Sequence, residues 1–137
     1  MDPKRIELCV PAERNMLLIV RMTTAGVMSR AGLTLDESDD VKMAVDEACN
    51  MMMLQKSLCR ELALSYEYDE KSVTVRVEGV GESDEEGEQK ADVDMQEVIR
   101  CILASMVDEV EMTERKDGST LAIRLKKNVS EQRRVSA

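Results

Sequence analysis

The order of strand-like and helical repeats along residues 5–50 limits the folds open to this chain more than any other feature. Residues Arg5–Val10 have the composition of a short strand, and Pro11 ends it because proline lacks the N–H that a sheet ladder needs. From Glu13 to Arg30, side chains suited to a core recur at helical spacing: Met16, Leu17, Val20, Thr24, Val27 and Met28. We therefore expect a strand followed directly by an amphipathic helix.

A second helix is predicted over residues 36–57. Gly32 is suited to end the first helix, and Thr34 with Glu37 forms the sequence signature of a capping box at the start of the next. The first turns are acidic, which the helix dipole favours. An apolar stripe then follows, consisting of Val41, Ala44, Val45, Ala48 and Met52.

The second half of the chain alternates between strand and helix patterns. Glu61–Tyr68 and Ser72–Val77 show period-2 alternation around Asp69-Glu70-Lys71, which predicts a hairpin. A helix is predicted over residues 93–106, with Met95, Val98, Ile102 and Met106 on one apolar face. Residues 109–114 and 120–126 predict a second hairpin around Lys116-Asp117-Gly118.

The predicted order is therefore β, α, α, β, β, α, β, β. Such an order favours an α/β (α+β) two-layer sandwich, with a mixed, mostly antiparallel sheet and the helices on one face. We expect one domain over residues 1–127 and a disordered tail over 128–137. The acidic, glycine-containing stretch Gly79–Asp94 is interpreted as a mobile loop.

Charge and cysteine usage exclude several classes of function. The 137 residues carry a net charge of −9 without a basic stripe, which argues against direct binding to nucleic acid or to an anionic membrane. A basic protein partner and simple solubility both remain compatible with this charge. Four cysteines without any histidine exclude the usual zinc frameworks. No apolar run is long enough to span a bilayer, so we expect a cytoplasmic protein with buried free thiols.

Two segments carry a resemblance to a known family. They are Gly26-Val27-Met28-Ser29-Arg30-Ala31-Gly32 and Lys42-Met43-Ala44-Val45-Asp46-Glu47-Ala48. In order and density they resemble the opening of the anti-sigma-factor serine kinases, bacterial regulators with the GHKL (Bergerat) histidine-kinase-like ATPase fold. The resemblance implies that fold, ATP with Mg²⁺ as cofactor, a homodimer, and a sigma factor or an anti-sigma antagonist as protein partner.

The resemblance gives Glu47 the role of general base on the serine hydroxyl of a protein substrate. The alternative is that Glu47 is a solvated helix residue. The family's magnesium-binding asparagine falls on Met51, whose thioether is a poor ligand for a hard cation. Asn50 is one residue early, about 100° away around the helix, and is the remaining candidate metal and nucleotide ligand.

The family's adenine-binding motif also differs here. Gly79 stands where the resemblance places an aspartate, Gly81 matches the motif's glycine, and Glu78 is the nearest carboxylate. Because successive side chains of an extended segment alternate faces, Glu78 is expected to point elsewhere. The family's glycine-rich lid falls near Glu97-Val98-Ile99, which contain no glycine.

Three functions remain open. The first is an anti-sigma-like regulator that binds a sigma factor or an antagonist with weak or no use of ATP. The second is an active serine/threonine kinase with an atypical nucleotide site, and the third is a noncatalytic adaptor in another bacterial signalling pathway. Arg14, Arg21 and Arg30 lie in the first helix and are either partner contacts or solvated charges.

Overall fold

The computed structural model describes residues 2–55, 59–81 and 93–130 of the chain. Its elements are β1 (Lys4–Pro11), a 3-10 turn (Arg14–Met16), α1 (Leu17–Met28), α2 (Leu35–Leu54), β2 (Glu61–Tyr68), β3 (Ser72–Val80), α3 (Val93–Ala104), β4 (Glu109–Glu114) and β5 (Thr120–Asn128). The predicted element order is confirmed. The predicted mobile loop and disordered tail fall mostly on residues 82–92 and 131–137, outside the described residues.

The five strands form one sheet in the order β1-β2-β3-β5-β4. Every strand pairing among the described residues is antiparallel, so the prediction of a mixed sheet is wrong. The reason is the position of β5. Strands β3 and β4 run in the same direction across the α3 connection, but β5 lies between them and pairs with both.

The sheet has one apolar and one polar face. On β2 and β3 the buried side chains alternate with partly exposed ones, and the buried set consists of Leu62, Leu64, Tyr66, Val73, Val75 and Val77. Helix α2 contacts β3 and β5 on this side. The other face carries cross-strand charge pairs, such as Arg5 with Glu67 at 3.1 Å and Lys126 with Glu109 at 3.5 Å. The architecture is therefore a two-layer α+β sandwich.

The start of α2 is fixed as the sequence predicts. Glu37 N–H donates to Thr34 Oγ1 at 3.1 Å, and Thr34 N–H donates to the Glu37 carboxylate at 2.7 Å. This reciprocal pair is a capping box, which satisfies two backbone donors at the helix start. It holds the α1–α2 turn and hence the register of every side chain along α2.

Helix α1 is joined to the sheet by a buried hydrogen bond. Thr24 Oγ1 donates to the Val20 carbonyl at 2.7 Å and lies 2.8 Å from the Tyr66 hydroxyl. Because the Thr24 proton is directed to Val20, the Tyr66 hydroxyl is the donor in the second contact. Both polar side chains are thereby satisfied inside the core.

The predicted apolar face of α3 is not the buried one. Met95, Val98 and Ile102 are 45%, 53% and 44% exposed, whereas Leu103 is fully buried. Ile99 and Met106 accompany Leu103 against the core. The helix therefore has two apolar sides, and the sequence pattern identified the outer one, apart from Met106, which follows the helix and packs against the core. None of the helices among the described residues is long and apolar enough to cross a membrane.

Candidate functional site

Helix α2 presents its two central carboxylates to different neighbours. Asp46 points toward α1, where its two oxygens accept from Arg21 Nε at 2.7 Å and Arg21 Nη2 at 3.2 Å. Glu47 is about 100° further around the helix and shares a flank with Asp40, two turns earlier. Asp40 reaches Lys127 of β5 at 3.6 Å, so this flank faces the β5 side of the sheet.

Glu47 and Asn50 lie three residues apart on α2 and are both half-buried. The structure therefore brings these two candidates onto neighbouring positions of one helix surface. Met51, at the position where the resemblance expects a metal ligand, is 7% exposed and contributes to the core. A thioether and an amide form a poor donor set for Mg²⁺, and the described residues contain no cluster of three or more metal-ligating side chains.

Gly79 is closely surrounded on the helix side of β3. A Cβ atom at this position would lie 3.0 Å from Arg115 Nη2, 3.1 Å from Cys59 Cβ and 3.2 Å from Cys59 Sγ. Contacts this short require a neighbour to move, and Cys59 Cβ is fixed to its own backbone. An aspartate side chain at this place would require Cys59 or Arg115 to shift.

A polar network lies beside Gly79, at the end of α2. Gln55 is 7% exposed. Its Nε2 donates to the Thr120 carbonyl at 2.7 Å, and its Oε1 accepts from Thr120 N–H at 2.8 Å. Arg115 Nη1 donates to the same carbonyl at 2.9 Å. Gln96 of α3 donates to the Gly118 carbonyl at 2.7 Å, so the network joins α2, α3 and the β4–β5 turn.

Sequence reasoning missed this network, although a signal for it exists. Gln55 continues the apolar stripe of α2, three residues after Met52 and seven after Ala48. A polar residue at a core position must be hydrogen-bonded when it is buried. That spacing could have indicated a buried amide with a backbone partner.

The remaining nucleotide candidates lie elsewhere. Glu78 is on the polar face of the sheet, where its carboxylate pairs with Arg76 at 3.1 Å, so the structure does not bring it together with Glu47 and Asn50. Gly81 follows β3 with φ +76°, a conformation that favours glycine, and lies over Arg60. Residues 97–99 lie in the second turn of α3 rather than at its start.

The arginine candidates lie in α1 and beside its two ends. Arg14 is in the 3-10 turn before the helix, Arg21 is within it and Arg30 is two residues beyond it, so only Arg21 lies in the helix as predicted. Arg14, Arg21 and Arg30 are all exposed, and the hydrogen bonds that Arg21 donates to Asp46 raise the pKa of its guanidinium. Between them lie Leu18, Ile19 and Met22, which are 63%, 46% and 66% exposed and which we name the α1 patch. Arg21 is thus a partner of α2 rather than a free charge.

The cysteines do not form a reactive centre. Burial raises the pKa of the Cys49 thiol to about 12 and also raises that of Cys59, so both stay protonated at neutral pH. The pKa of Cys9 is also raised, chiefly by slight burial and secondly by the hydrogen bond to Glu61. All four cysteines are free thiols, but Cys9 and Cys101 are exposed, so the prediction of buried thiols is wrong for these two.

Comparison with known proteins places part of this chain near a group of bacterial kinases. The chain is 44% identical over 48 residues to the serine-protein kinase RsbW of Halalkalibacterium halodurans, a match that covers 35% of this chain and 30% of that protein. It is 52% identical over 44 residues to the serine-protein kinase RsbW of Bacillus subtilis, covering 32% of this chain and 28% of the relative.

A third match, to the serine-protein kinase RsbW of Bacillus cereus, is 41% identical over 46 residues and covers 34% of this chain and 29% of the relative. The chain thus spans 30% or less of the length of each of these relatives. No protein-family profile matches the chain. The short matches support a relationship between part of this chain and the RsbW serine-protein kinases.

Proposed function

We propose that this protein is an anti-sigma-like regulator, which binds a sigma factor or an anti-sigma antagonist and does not use ATP. The observation that carries the proposal is the filled space beside Gly79. The resemblance puts an adenine-binding carboxylate there, and the chain has Cys59 and Arg115 instead, within 3.2 Å of where a Cβ would be. The loss is one of space as well as of the carboxylate.

Two further features support the loss of nucleotide binding. Met51 is buried at the expected metal position and offers sulfur to a cation that prefers oxygen. The polar groups that line the end of α2 are already bonded to one another through Gln55, Thr120 and Arg115. Nucleotide would have to break these bonds before it could form its own.

The proposed partner surface consists of β1 and α1. Strand β1 is at one edge of the sheet, so its outer backbone groups are available to pair with another chain. The α1 patch lies on the helix that follows β1 and is apolar, with the exposed Arg14 and Arg21 within four residues of it in the sequence, a composition typical of protein interfaces. We propose that two copies of the chain form a homodimer here and that the sigma factor or antagonist binds the same side.

Titration calorimetry with ATP, with and without Mg²⁺, tests the loss of nucleotide. We expect no binding stronger than a Kd of about 1 mM in either condition. A micromolar Kd for ATP in the unmodified protein would contradict the proposal. The Gly79→Asp variant should gain no affinity, because its carboxylate has to compete with Cys59 and Arg115 for space.

The second candidate function is an active serine kinase. It is favoured by the names of the relatives and by the half-buried position of Glu47 next to Asn50. Incubation with labelled ATP and purified antagonist proteins from the same genome decides between the two. Transfer of phosphate that the Glu47→Ala variant abolishes would establish the kinase, and absence of transfer is expected.

Partner capture tests the regulatory part separately. Purified sigma factors and antagonists from the same genome should bind the unmodified protein and lose at least tenfold in affinity toward the Leu18→Asp/Met22→Asp variant. The Met43→Asp variant, with an exposed apolar residue on α2, is the matched control. Binding of neither class of protein would favour the adaptor hypothesis.

A further inference from the structure

The outer side of α3 carries an apolar stripe at the spacing of a helix–helix seam. Met95, Val98 and Ile102, which we name the α3 stripe, are separated by three and then four residues and are all close to half exposed. Ser105 follows at the next such position, and a shallow groove runs along this side between Asp94 and Ser105. Alternation of three and four is the pattern by which one helix packs along another.

The α3 stripe is separate from the core of the protein. Helix α3 contacts the core through Ile99 and Leu103, and Met106, just beyond the helix, also packs there. The residues outside the described ranges include few large apolar side chains, Met1 among them, and residues 82–92 read ESDEEGEQKAD. Leu58 and Val135 are the large aliphatic residues of segments 56–58 and 131–137. The chain therefore has little with which to bury the α3 stripe itself.

Charge indicates what kind of helix fits. Asp94 and Glu97 border the groove on one side. Arg100, the one basic residue of α3, is about 200° around the helix from Val98, and its Nε lies 3.8 Å from the Glu97 carboxylate. Two carboxylates and one guanidinium therefore set the charge along this side of α3. A second copy would bring another acidic border and a chain of net charge −9, whereas a helix bordered by Lys or Arg would meet opposite charge.

We propose that the α3 stripe is a docking surface for a partner protein's amphipathic helix, whose apolar side is bordered by basic residues. The surface is distinct from the proposed α1 surface, because α2 contacts both helices and lies between them. Two partners, or a homodimer and a partner, therefore have separate flanks of the molecule. The proposal depends neither on ATP nor on the identity of the partner at α1.

Two designed peptides test it with the full-length protein. Both carry leucines at the spacing of the α3 stripe, and they differ only in having lysines or glutamates beside them. Fluorescence anisotropy should show that the lysine peptide binds and that the glutamate peptide binds at least tenfold more weakly. Raising the salt concentration should weaken the lysine peptide, because the bordering charges are exposed.

Variants separate the stripe from general charge attraction. Val98→Asp/Ile102→Asp adds two negative charges and should nevertheless lose at least tenfold in affinity for the lysine peptide. Leu18→Asp/Met22→Asp adds the same charge on α1 and should bind as the unmodified protein does. Val98→Ser/Ile102→Ser, with circular dichroism of each variant, guards against loss of the fold and should also bind weakly.

Four outcomes would overturn the proposal. They are no binding of the lysine peptide, equal binding of both peptides, unchanged or tighter binding by the Val98→Asp/Ile102→Asp variant, and equal loss in the α1 variant. Sedimentation of that α3 variant supplies a further check. If the change at α3 dissociates a dimer, the occupant is a second copy and the proposed partner helix is wrong.

Discussion

The end of α2 and the outer sides of α1 and α3 differ in how far their side chains are buried and bonded within the protein. At the end of α2, Gln55 satisfies both backbone groups of Thr120, and Cys59 and Arg115 fill the space beside Gly79. On α1 and α3, by contrast, the α1 patch and the α3 stripe leave six large apolar side chains at least 44% exposed. The polar groups at the end of α2 are thus bonded to one another, whereas the exposed apolar groups of α1 and α3 lie on the surfaces that we propose for protein partners.

The strongest challenge to this contrast is the removal of Gln55. Gln55→Ala leaves the Thr120 N–H buried without its acceptor, while Arg115 still donates to the Thr120 carbonyl. We expect a loss of about 2–3 kcal/mol in the free energy of unfolding, measured by urea denaturation. Gln96→Ala, which removes a part-buried bond to the Gly118 carbonyl, should cost less. If the two variants lost equal amounts of stability, the buried bonds of Gln55 would contribute no more than the part-buried bond of Gln96.

Two glycines provide a matched pair. Gly79→Ala introduces a Cβ at 3.0–3.2 Å from Arg115 and Cys59, so we expect a loss of about 1–3 kcal/mol. Gly26→Ala, in α1, introduces a Cβ with nothing within 4 Å and should stabilise by about 0.5–1 kcal/mol. Thermal unfolding of both variants measures the difference. A Gly79→Ala variant as stable as the unmodified protein would mean that the space is open.

The hydrogen bond between Tyr66 and Thr24 lies in the interior between α1 and β2, and its removal tests how much it stabilises that packing. Tyr66→Phe removes a donor but leaves Thr24 bonded to Val20, so it should cost about 1 kcal/mol at neutral pH. Burial raises the pKa of Tyr66 to about 12, above its ordinary value of 10.0. The part of the free energy of unfolding that comes from this raised pKa is complete below pH 10 and is lost as pH rises through about 12.

Urea unfolding at pH 8 and at pH 11 measures the consequence. The unmodified protein should lose more stability between the two than Tyr66→Phe does, so the difference between them narrows at high pH. Cys49, whose pKa burial raises to about 12, contributes a decline common to both. A constant difference at the two pH values would contradict the assignment to Tyr66.

The smallest effect is expected on the outer surfaces. Leu18→Asp/Met22→Asp removes exposed apolar groups and should change the free energy of unfolding of the monomer by no more than about 0.5 kcal/mol. Urea denaturation at protein concentrations below the dissociation constant of the proposed homodimer measures this change. A larger loss would mean that the α1 patch supports the fold and is not a free surface.

The fold was predictable where one periodicity dominated. The capping box at Thr34 and the stripe of α2 follow from local rules, as do both hairpins. The β2–β3 turn needed no glycine because the Asp69 carboxylate accepts from the N–H groups of Lys71 and Ser72. The failure at α3 has a physical cause, since a helix apolar on two sides does not indicate which side is inside.

The site was less predictable because it depends on distant contacts. Sequence reasoning identified Gly79 and Met51 as differences from the family pattern. It could not show that Arg115, 36 positions away in the sequence, occupies the space beside Gly79. Gln55 and Thr120 are 65 positions apart, and Arg21 and Asp46 are 25 apart. Pairings of this kind are set by the sheet order, which local patterns do not contain.

The insertion of β5 between β3 and β4 also has a consequence for synthesis. While the chain emerges from the ribosome, β1, β2 and β3 are complete about 40 residues before β5 exists, and the inner edge of β3 has no partner during that interval. An unpaired edge can pair with a second nascent chain. Pairing of β5 with β3 thus covers the edge at which β1, β2 and β3 could aggregate. Chains truncated before Thr120 should therefore aggregate rather than remain as a smaller folded sheet.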